Sequence, residues 1–539
     1  MPKANNLKPL NSFMIRVAKK FFISFCCFTQ LIAGGQTSAP LPPGLDNYLD
    51  SVLRVFEVPG ISLAIVKDGK VLLAKGYGVK KTGEKIPVTE HTLFSIASNT
   101  KAFTAVALAI LAEEKKLQWD DPVINYLPWF RMSDPWVTAQ ITVRDLLVHH
   151  SGIPAYAGDL IIFPPSSYSR KEIVSKLKDI PLSHSFRTTY AYDNILYLAA
   201  GEVIKAVSGM EWEDFIQTRI FKKLEMTESV ARFSDIKNHT DVSSGHLRIL
   251  GKLKTVPHFF DQAIGDAGDP AGGIASNAVD MAKWLITQLD SGLSQHGTRI
   301  FNAGATKELW NMVTPIPISN SPAGLEPSQM SFWGYALGVR TYNYGKYKLI
   351  GHGGKLDGFV SQVTLVPQLK LGIAVLTNQE STGAYWSVIY HLLDYYMQNK
   401  PFNWMAGYKK LMDSSIARSK RNWEKANIQT TSKVMPSLPI EKYTGLYKDV
   451  FYGEVMIEKD SSGLVLKFRQ TPQLIAQLIP FQFETFLAKF NNPDLRADAY
   501  ATFTIGPDGN VDELKMKIID PDCDISFDEL LLKHIRQSP

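Results

Sequence analysis

Ser98 and Lys101 are the two residues of this 539-residue chain whose types and spacing most directly indicate chemistry. They stand three positions apart at the head of an apolar segment, residues 102–112, that is interrupted only by Thr104. Residues three apart share one face of a helix, so the lysine amine can reach back to the serine hydroxyl. A dry pocket disfavours the charged form of a lysine, which lowers its pKa and lets it act as a base. The pair therefore predicts an activated serine nucleophile near a helix N-terminus, where developing negative charge is favoured.

The Ser-x-x-Lys pattern is weak by itself, because it also occurs at Ser175–Lys178 and Ser234–Lys237. Those two pairs fit an ordinary alternative, in which a serine caps a helix and the lysine is solvated. Only residues 102–112 are too apolar for a solvated helix and too short to span a bilayer. This context predicts a buried core helix behind Ser98 and singles out the first pair.

Two further motifs follow in order, Tyr192-Asp193-Asn194 and His352-Gly353-Gly354. A phenol beside a lysine can serve as general base and then as general acid towards the leaving group. An amide such as that of Asn194 can hold both the lysine amine and a substrate carbonyl. A glycine-rich turn at a strand lets backbone N–H groups approach a tetrahedral oxyanion. Each motif also has a plain structural explanation, namely a core tyrosine, a turn asparagine and a hairpin bend, so the order of the motifs carries the prediction.

Length and charge restrict the classes of function. A chain of 539 residues exceeds one ordinary core, which predicts two domains plus extensions. The formal net charge is +6, but residues 1–35 hold five Lys or Arg and no acidic residue. The rest of the chain is nearly neutral, so nucleic-acid binding has no electrostatic support.

The cysteines and histidines give no support to a metal site or a disulfide. Cys26 and Cys27 lie within residues 1–35, which leaves Cys523 as one thiol in the remainder. No Cys/His cluster has metal-ligand spacing, and a local structural role is the simpler explanation of the adjacent pair His149-His150. We therefore expect no metal and no cofactor.

Residues 1–35 have the pattern of a secretory signal. Three basic residues at positions 16–20 precede an apolar stretch at 21–33, and Ala33-Gly34-Gly35 supplies small residues for cleavage. We expect a secreted or periplasmic protein that keeps no membrane span once the signal is removed. An uncleaved N-terminal anchor is the alternative, and Met14 is a second candidate start.

After a proline-rich spacer at 36–43, residues 44–397 are predicted to form an α/β (α+β) domain. A hairpin around Asp68-Gly69 and three later strands indicate an antiparallel sheet of about five strands, flanked by helices and joined to a mostly helical lobe. Residues 141–150 are predicted to be one of the helices. Residues 156–168 form an irregular loop, for which a wall of the substrate cleft and an ordinary surface loop are equally good interpretations. The predicted strands are residues 61–66, 71–75, 347–350, 359–366 and 371–377.

The pattern changes after residue 397. Residues 398–435 form a basic, polar connector that is predicted to be partly helical over 404–425. Residues 436–539 contain short alternating strands separated by turn residues, for example Leu514, Met516 and Ile518 on one face. This predicts a small C-terminal β domain, either a barrel or a sandwich.

With these motifs in this order, the sequence resembles the serine β-lactamase and penicillin-binding protein superfamily. It is most similar to the branch that holds class C β-lactamases, D-Ala-D-Ala carboxypeptidases, D-aminopeptidases and family VIII esterases. The stretches PGISLAIVKDGKVLLAKGYG, DLLVHHSGIP, AGGIASNAVDMAKWL and GHGGKLDGFVS carry the resemblance, which covers roughly residues 44–395. The tail, with LPIEKYTGLYKDVFYGEV, is similar to a small domain often appended to these hydrolases. Together with the leader, the resemblance implies a bacterial origin.

The resemblance implies a role for each motif residue. Ser98 would be the acylated nucleophile, and Lys101 and Tyr192 would share the duty of the base. No cofactor would be needed, and the substrate would be a small molecule or a peptide, including cell-wall-derived ones. Substrate would be positioned by Asn194, His352, Gly353 and Gly354, and the oxyanion would be bound by the backbone N–H groups of Ser98 and Lys355.

Two departures from the family pattern shape the expected activity. Asp193 stands where a small residue is usual, and His352 stands where typical β-lactamases carry lysine. A histidine is mostly neutral at pH 7, so it grips a substrate carboxylate less well than a permanent cation. We therefore expect weak or absent β-lactamase activity and a preference for esters, amides or small peptides, including D-amino acid peptides.

Two alternatives remain open at this stage. One is a penicillin-binding or cell-wall-binding protein that is acylated without efficient turnover. The other is a ligand- or partner-binding role for the β-rich tail, attached to an inert hydrolase fold.

Overall fold

The computed structural model describes residues 40–536 apart from 250, 258, 260–262, 430–434, 521–522 and 524. The predicted signal lies outside the described residues. From residue 41 onward the chain forms one compact unit. Its first twelve strands are β1 (Gly60–Lys67), β2 (Lys70–Gly78), β3 (Phe94–Ser95), β4 (His246–Ile249), β5 (Lys252–Thr255), β6 (Ala275–Ser276), β7 (Thr314–Pro315), β8 (Trp333–Tyr335), β9 (Arg340–Tyr344), β10 (Tyr347–Leu356), β11 (Phe359–Val366) and β12 (Leu371–Thr377).

The central sheet of the described chain is antiparallel and has eight strands, in the order β2-β1-β12-β11-β10-β9-β8-β7. The five expected strands are contiguous in this order, from β2 to β10, which confirms the fold class. The expected number of about five is too low, because β7, β8 and β9 extend the edge. These strands have two to five residues each. Segments this short depend on pairing with a neighbour, such as Tyr342 opposite Leu349, rather than on their own pattern.

Helices cover both faces of the sheet. Along β1, Ile61, Leu63 and Ile65 contribute to one apolar core, while Ala64 and Val66 contribute to the other. Successive side chains of a strand point to opposite faces, so a strand covered on both sides reads as a continuous apolar run. The helices are α1 (Leu45–Phe56), α2 (Thr100–Glu113), α3 (Pro135–Gln140), α4 (Arg170–Ser175), α5 (Ile195–Ser208), α6 (Trp212–Phe215), α7 (Lys222–Leu224), α8 (Asp269–Gly272), α9 (Ala278–Leu289), α10 (Ala303–Trp310), α11 (Thr382–Met397) and α12 (Trp404–Gln429).

Helix α2 is the buried core helix that was expected behind Ser98. Its one polar interruption, Thr104, is fully buried and completely hydrogen-bonded. Trp212 Nε1 donates to Thr104 Oγ1 at 3.0 Å, and that hydroxyl donates to the carbonyl of Pro270 at 2.7 Å. A buried hydroxyl that is paired in this way costs little, so the helix can lie inside the helical lobe. In the described part of the chain, no helix is long and apolar enough to cross a membrane.

The helix expected at residues 141–150 is not formed. The structure has only a short 3-10 turn, Asp145–Leu147. The Asp145 carboxylate accepts hydrogen bonds from Thr142 N at 2.8 Å and Thr142 Oγ1 at 2.7 Å, and it binds Arg187 and His150. Side-chain bonds to nearby backbone compete with helical hydrogen bonds, which explains the turn.

The C-terminal β domain is a closed antiparallel barrel, and within the described residues it has eight strands. Helix α12 occupies most of the predicted connector. Inside the barrel, the ring of Tyr443 contacts Phe486 and Phe503 with centroids 5.0 Å apart. The strands are β13 (Gly445–Asp449), β14 (Gly453–Asp460), β15 (Gly463–Phe468), β16 (Ile475–Gln482), β17 (Thr485–Phe490), β18 (Ala499–Ile505), β19 (Val511–Ile518) and β20 (Leu532–Ile535).

We expect Asp394 to contribute measurably to the stability of the fold, because its carboxylate joins three elements. Its carboxylate accepts from Tyr344 Oη at 2.5 Å, Trp404 Nε1 at 2.7 Å and Asn399 Nδ2 at 3.1 Å. Asp394→Ala leaves these donors unpaired and should lower the free energy of unfolding by roughly 2 to 4 kcal/mol in urea titrations. Asp394→Asn retains an acceptor and should lose less. The exposed Asp413→Ala is the matched control and should change little, and equal losses at the two sites would contradict the assignment.

Candidate active site

Ser98 lies in a one-turn 3-10 helix, Ala97–Asn99, that leads directly into α2. The turn is pinned to β11, because Ser361 Oγ donates to the carbonyl of Ile96 at 2.7 Å and accepts from Asn99 Nδ2 at 2.8 Å. Ala97 has a φ of 45°, a left-handed conformation that a residue with a Cβ adopts only when its surroundings impose it. The constrained backbone leaves Ser98 half-buried, with its hydroxyl directed into a cavity.

The Lys101 amine is fully buried and has three oxygen neighbours. Its Nζ lies 3.1 Å from Ser98 Oγ, 2.7 Å from Asn194 Oδ1 and 2.8 Å from the carbonyl of Ala271. A neutral amine has two hydrogens and one lone pair. The amide and carbonyl oxygens can only accept, so they take both hydrogens. The lone pair is then left for the Ser98 hydroxyl proton.

Burial makes this neutral state accessible near pH 7. Desolvation lowers the pKa of Lys101 to about 7, while the carboxyl groups of Asp159 and Asp193 work in the opposite direction. A lysine with this pKa is half neutral at physiological pH, instead of almost fully protonated. The electrostatics thus match a base beside Ser98.

Tyr192 approaches the same serine oxygen from the other side. Its hydroxyl lies 3.0 Å from Ser98 Oγ. Burial raises the pKa of Tyr192 well above its usual range, and the nearby Arg340 guanidinium only partly offsets this. The phenol therefore stays protonated at neutral pH and donates to Ser98. In the resting site this favours Lys101 rather than Tyr192 as the base.

Asn194 is held in one orientation by a residue that the motifs did not indicate. Its Oδ1 accepts from Lys101, and its Nδ2 donates to Asp159 Oδ2 at 2.8 Å. Asp159 lines the cavity, and its Oδ1 has no hydrogen-bond partner among the described residues. Burial raises the pKa of this carboxyl well above its usual range, although Asn194 and Lys101 counteract the shift. The serine, lysine, amide and carboxyl groups form one connected chain.

The unusual Asp193 lies behind this chain. Its side chain is fully buried, and burial raises its pKa to about 7. The Asp193 N–H donates to His149 Nδ1 at 3.2 Å. His149 also packs against the ring of Tyr192, with centroids 4.2 Å apart. His149 thus supports the tyrosine from behind, whereas His150 binds Asp145 through Nε2 at 2.7 Å.

His352 is buried and neutral, in agreement with the reasoning from its residue type. Its Nδ1 lies 2.5 Å from the carbonyl of Gly353, which can only accept, so Nδ1 carries the proton. Its Nε2 then accepts from Tyr335 Oη at 2.7 Å. Burial lowers the pKa of His352 well below its usual range, and the charges of Arg340 and Lys101 lower it further.

The glycines beside His352 allow β10 to approach the Ser98 turn. A Cβ at Gly354 would lie 2.2 Å from the carbonyl oxygen of Ile96, and one at Gly353 would lie 2.9 Å from Gln362 Oε1. A side chain at Gly354 would push the strand away from the Ser98 turn. Lys355 follows on the same strand and lines the cavity, where its N–H remains the predicted second oxyanion donor.

One cavity of about 310 Å³ is lined by Ser98, Asp159, Tyr192, Asn194 and residues 352–355. It also contains Arg340, whose guanidinium carbon lies 5.7 Å from the ring centroids of both Tyr192 and Tyr335. The Arg340 Nε has no hydrogen-bond partner among the described residues. The cavity thus holds a cation, supplied by β9 rather than by the third motif. The irregular loop contributes Tyr156, Asp159, Phe163 and Pro164 to the wall.

Reasoning from sequence missed Asp159, Arg340 and Tyr335. Asp159 lies in a loop without a pattern, and Arg340 and Tyr335 lie on two short strands near one edge of the sheet. The sequence signal for Arg340 would have been its position just before β10, since antiparallel neighbours place it opposite Gly351. In the described part of the chain, no group of three or more His, Cys, Asp and Glu is arranged to hold a metal ion.

Comparison with known proteins agrees with this geometry. A family model described as Beta-lactamase matches residues 47–394. The chain belongs to the beta-lactamase family, and the resemblance to class C-like enzymes and penicillin-binding proteins is confirmed. A model described as a domain of unknown function (DUF3471) matches residues 430–533. The beta-lactamase-family match includes all the motif residues, and the second match covers the barrel as far as the first half of β20.

Individual proteins extend the likeness over most of the chain. The unguisins hydrolase of Aspergillus campestris is 29% identical over 494 residues, which cover 87% of this chain and 88% of that protein. The octameric penicillin-binding protein homologue from Pyrococcus abyssi has a TM-score of 0.57 at 22% identity, covering 91% of this chain and 99% of that one. The D-amino acid amidase from Ochrobactrum anthropi SV3 has a TM-score of 0.51 at 21% identity, covering 66% and 97%. These two structures establish the fold of this beta-lactamase-family hydrolase.

His352 gives a direct test of the site's charge. Because it is buried, donates to Gly353 and accepts from Tyr335, its imidazole should remain neutral from pH 8 down to pH 5.5. NMR of histidine-labelled protein should show no titration of its signals, which are assigned by their loss in His352→Asn. The exposed His91, whose pKa is raised by Glu228, should titrate in the same spectra. Titration of His352 in step with His91 would contradict the neutral site.

Proposed function

We propose that this protein is a serine hydrolase that acts through an acyl-enzyme on esters, amides or small peptides. The observation that carries the proposal is the convergence of Lys101 Nζ and Tyr192 Oη on Ser98 Oγ, at 3.1 and 3.0 Å. The neutral Lys101 amine on one side can take the proton of the serine hydroxyl, and the protonated Tyr192 phenol on the other side donates a hydrogen bond to the serine oxygen. This is the arrangement of an activated nucleophile.

The first half of the reaction forms the acyl-enzyme. Ser98 Oγ attacks the substrate carbonyl carbon while its proton passes to Lys101 Nζ. The carbonyl oxygen becomes an oxyanion, which the backbone N–H groups of Ser98 and Lys355 would bind. The carbon–leaving-group bond then breaks, the Tyr192 phenol donates its proton to the leaving group, and the Lys101 ammonium returns a proton to the tyrosine, which restores the neutral amine. Asn194 would hold the substrate amide or ester carbonyl in place.

The second half releases the product. A water attacks the acyl carbon, and its proton passes to the neutral Lys101 amine. The ester bond to Ser98 Oγ breaks, the serine recovers a proton from Lys101, and the free acid leaves. Both halves use the same base, so the cycle needs no cofactor.

The charges of the cavity favour some substrates over others. His352 is neutral, so the third motif does not supply the cation that grips a β-lactam carboxylate, and we propose weak or absent β-lactamase activity. Arg340 places a cation on β9 instead, where it can pair with a carboxylate or carbonyl of a peptide. The unguisins hydrolase is by its name an enzyme that hydrolyses unguisins. This name supports the proposal that the present chain is also a hydrolase.

The sequence pattern of residues 1–35 supports the further proposal that the protein is secreted or periplasmic. A cell-fractionation assay of the full chain, compared with a chain that lacks residues 1–35, tests it. Equal distribution of the two forms would contradict it.

Ser98→Ala should abolish hydrolysis, because it removes the attacking oxygen. The assay compares a p-nitrophenyl acetate, a D-alanyl-D-alanine peptide and a chromogenic cephalosporin. We expect loss of at least about a thousandfold in kcat/KM on any substrate that the wild type hydrolyses, and the cephalosporin should be the poorest. Ser175→Ala is the matched control, because Ser175 begins a second Ser-x-x-Lys pair, but its exposed hydroxyl donates to the carbonyl of Lys171 in its own helix.

Each outcome of this assay has a distinct meaning. Activity that survives in Ser98→Ala would show that another residue is the nucleophile. An intact-mass adduct on Ser98 with no product release would favour the acylated binding protein instead. Efficient cephalosporin turnover would overturn the proposed substrate preference.

The pH dependence of acylation should report Lys101. The neutral amine is the base, so kcat/KM should rise with pH through about 7 and level off above it. The measurement is hydrolysis of the p-nitrophenyl ester from pH 5.5 to 9, corrected for spontaneous hydrolysis. Asp193 has a pKa of about 7 as well, so Asp193→Asn is the control, and this variant should keep the rise of kcat/KM near pH 7. If the rise disappears in that variant, the titrating group is Asp193 instead.

A further inference from the structure

Two side chains of the C-terminal barrel line the active-site cavity. Leu495 lies in the short turn Pro493–Leu495 between β17 and β18, and Ile525 lies between β19 and β20. Leu495 is 5% exposed and Ile525 is 7% exposed. The cavity that contains Ser98 is therefore bounded partly by the catalytic domain and partly by the barrel.

An ion-pair chain holds this side of the barrel against the strand that carries Lys355. Arg496 Nη2 lies 3.2 Å from Glu380 Oε2, and Lys355 Nζ lies 3.6 Å from the same oxygen. Glu380 Oε1 accepts a hydrogen bond of 3.1 Å from the N–H of Gly358. Burial works to raise the pKa of Glu380, but the charges of Lys355 and Arg496 outweigh it and hold that pKa below its usual range. The ionised carboxylate thus joins the β10–β11 hairpin to the residue next to Leu495.

A second contact supports the opposite wall of the cavity. Tyr452 Oη accepts from the N–H of Gly158 at 3.1 Å and donates to Glu529 at 2.7 Å. Phe451 packs so closely that a Cβ at Gly158 would lie 3.0 Å from its ring. Gly158 directly precedes Asp159, the carboxyl group that holds Asn194. The barrel therefore contacts both the loop that orients the catalytic amide and the strand that lines the oxyanion site.

The barrel residues also change the chemical character of the cavity. Its polar part contains Ser98, Tyr192, Asn194 and Arg340. Its apolar part can receive a hydrocarbon group of the substrate, and removal of such a group from water is favourable. The apolar lining consists of Phe163, Pro164, Ala263, Leu356, Leu495 and Ile525.

We infer that the C-terminal barrel is a specificity-determining wall of the active site, in which Leu495 and Ile525 select substrates by the size of an apolar group near the reacting carbonyl. The inference deepens the proposed function and rests on it, because it takes Ser98 as the group that the substrate must reach. The substrates would be esters or amides that carry an aliphatic or aromatic group larger than methyl. Filling this wall should exclude such groups and still admit small ones.

The test measures access to position 98 without requiring catalysis. In a full-length Ser98→Cys variant, the introduced thiol reacts with methyl or octyl methanethiosulfonate, forming a mixed disulfide and releasing methanesulfinate. Peptide mass spectrometry separates this site from the native cysteines. Leu495→Trp in this background should lower the octyl-to-methyl rate ratio at least about tenfold. Leu495→Ala should raise it. Leu531→Trp, on an exposed side chain of the same barrel, is the matched control and should leave the ratio unchanged.

Thermal unfolding of each variant shows whether it folds. If Leu495→Trp does not, Leu495→Ala and Ile525→Ala provide the test, and both should raise the ratio. A ratio within twofold of the parent in every folded variant at positions 495 and 525 would overturn the inference. Failure of the proposed function is seen separately, as survival of hydrolysis in Ser98→Ala, and does not affect the labelling result.

Discussion

The site depends on the hydrogen bonds that the buried Lys101 amine makes to its neighbours. An ammonium group at this depth would be costly, and the desolvation lowers its pKa into the range where it can exchange a proton. The cost is limited because Asn194 and the carbonyl of Ala271 accept the amine hydrogens. With both hydrogens bound, the remaining direction of the nitrogen faces Ser98. One set of contacts therefore stabilises the neutral lysine and directs its lone pair at the Ser98 hydroxyl.

The rest of the catalytic domain holds this geometry in place. The apolar helix α2 places Lys101 in the core, while β10 and β11 pack against the turn that contains Ser98. Gly354 makes the close approach possible, and Ser361 ties the turn to the sheet. Asp159 fixes the amide of Asn194 from the other side. Catalytic geometry tolerates little displacement, so this supporting packing matters as much as the reacting groups.

The barrel is part of the same assembly rather than an independent appendage. Its core is continuous with that of the catalytic domain through Phe451 and Tyr452. Arg496 meets the buried Glu380, which also binds the hairpin that follows Lys355. A domain attached in this way can tune which substrates enter without supplying any reacting group. The barrel thus contributes part of the cavity wall through Leu495 and Ile525.

The sequence by itself determined the local features of this protein. The spacing of Ser98 and Lys101 sets their pairing because neighbours on one helix face meet whatever surrounds them, and the apolar run behind them requires burial. The strand periods likewise indicated the main sheet and the β-rich tail. The tertiary structure alone decided that Asp159 holds Asn194, that Arg340 supplies the cation, and that Leu495 closes the cavity. These contacts join segments 35 to several hundred residues apart, across loops and short strands without a period. Such contacts follow from how whole elements pack, and no local pattern encodes them.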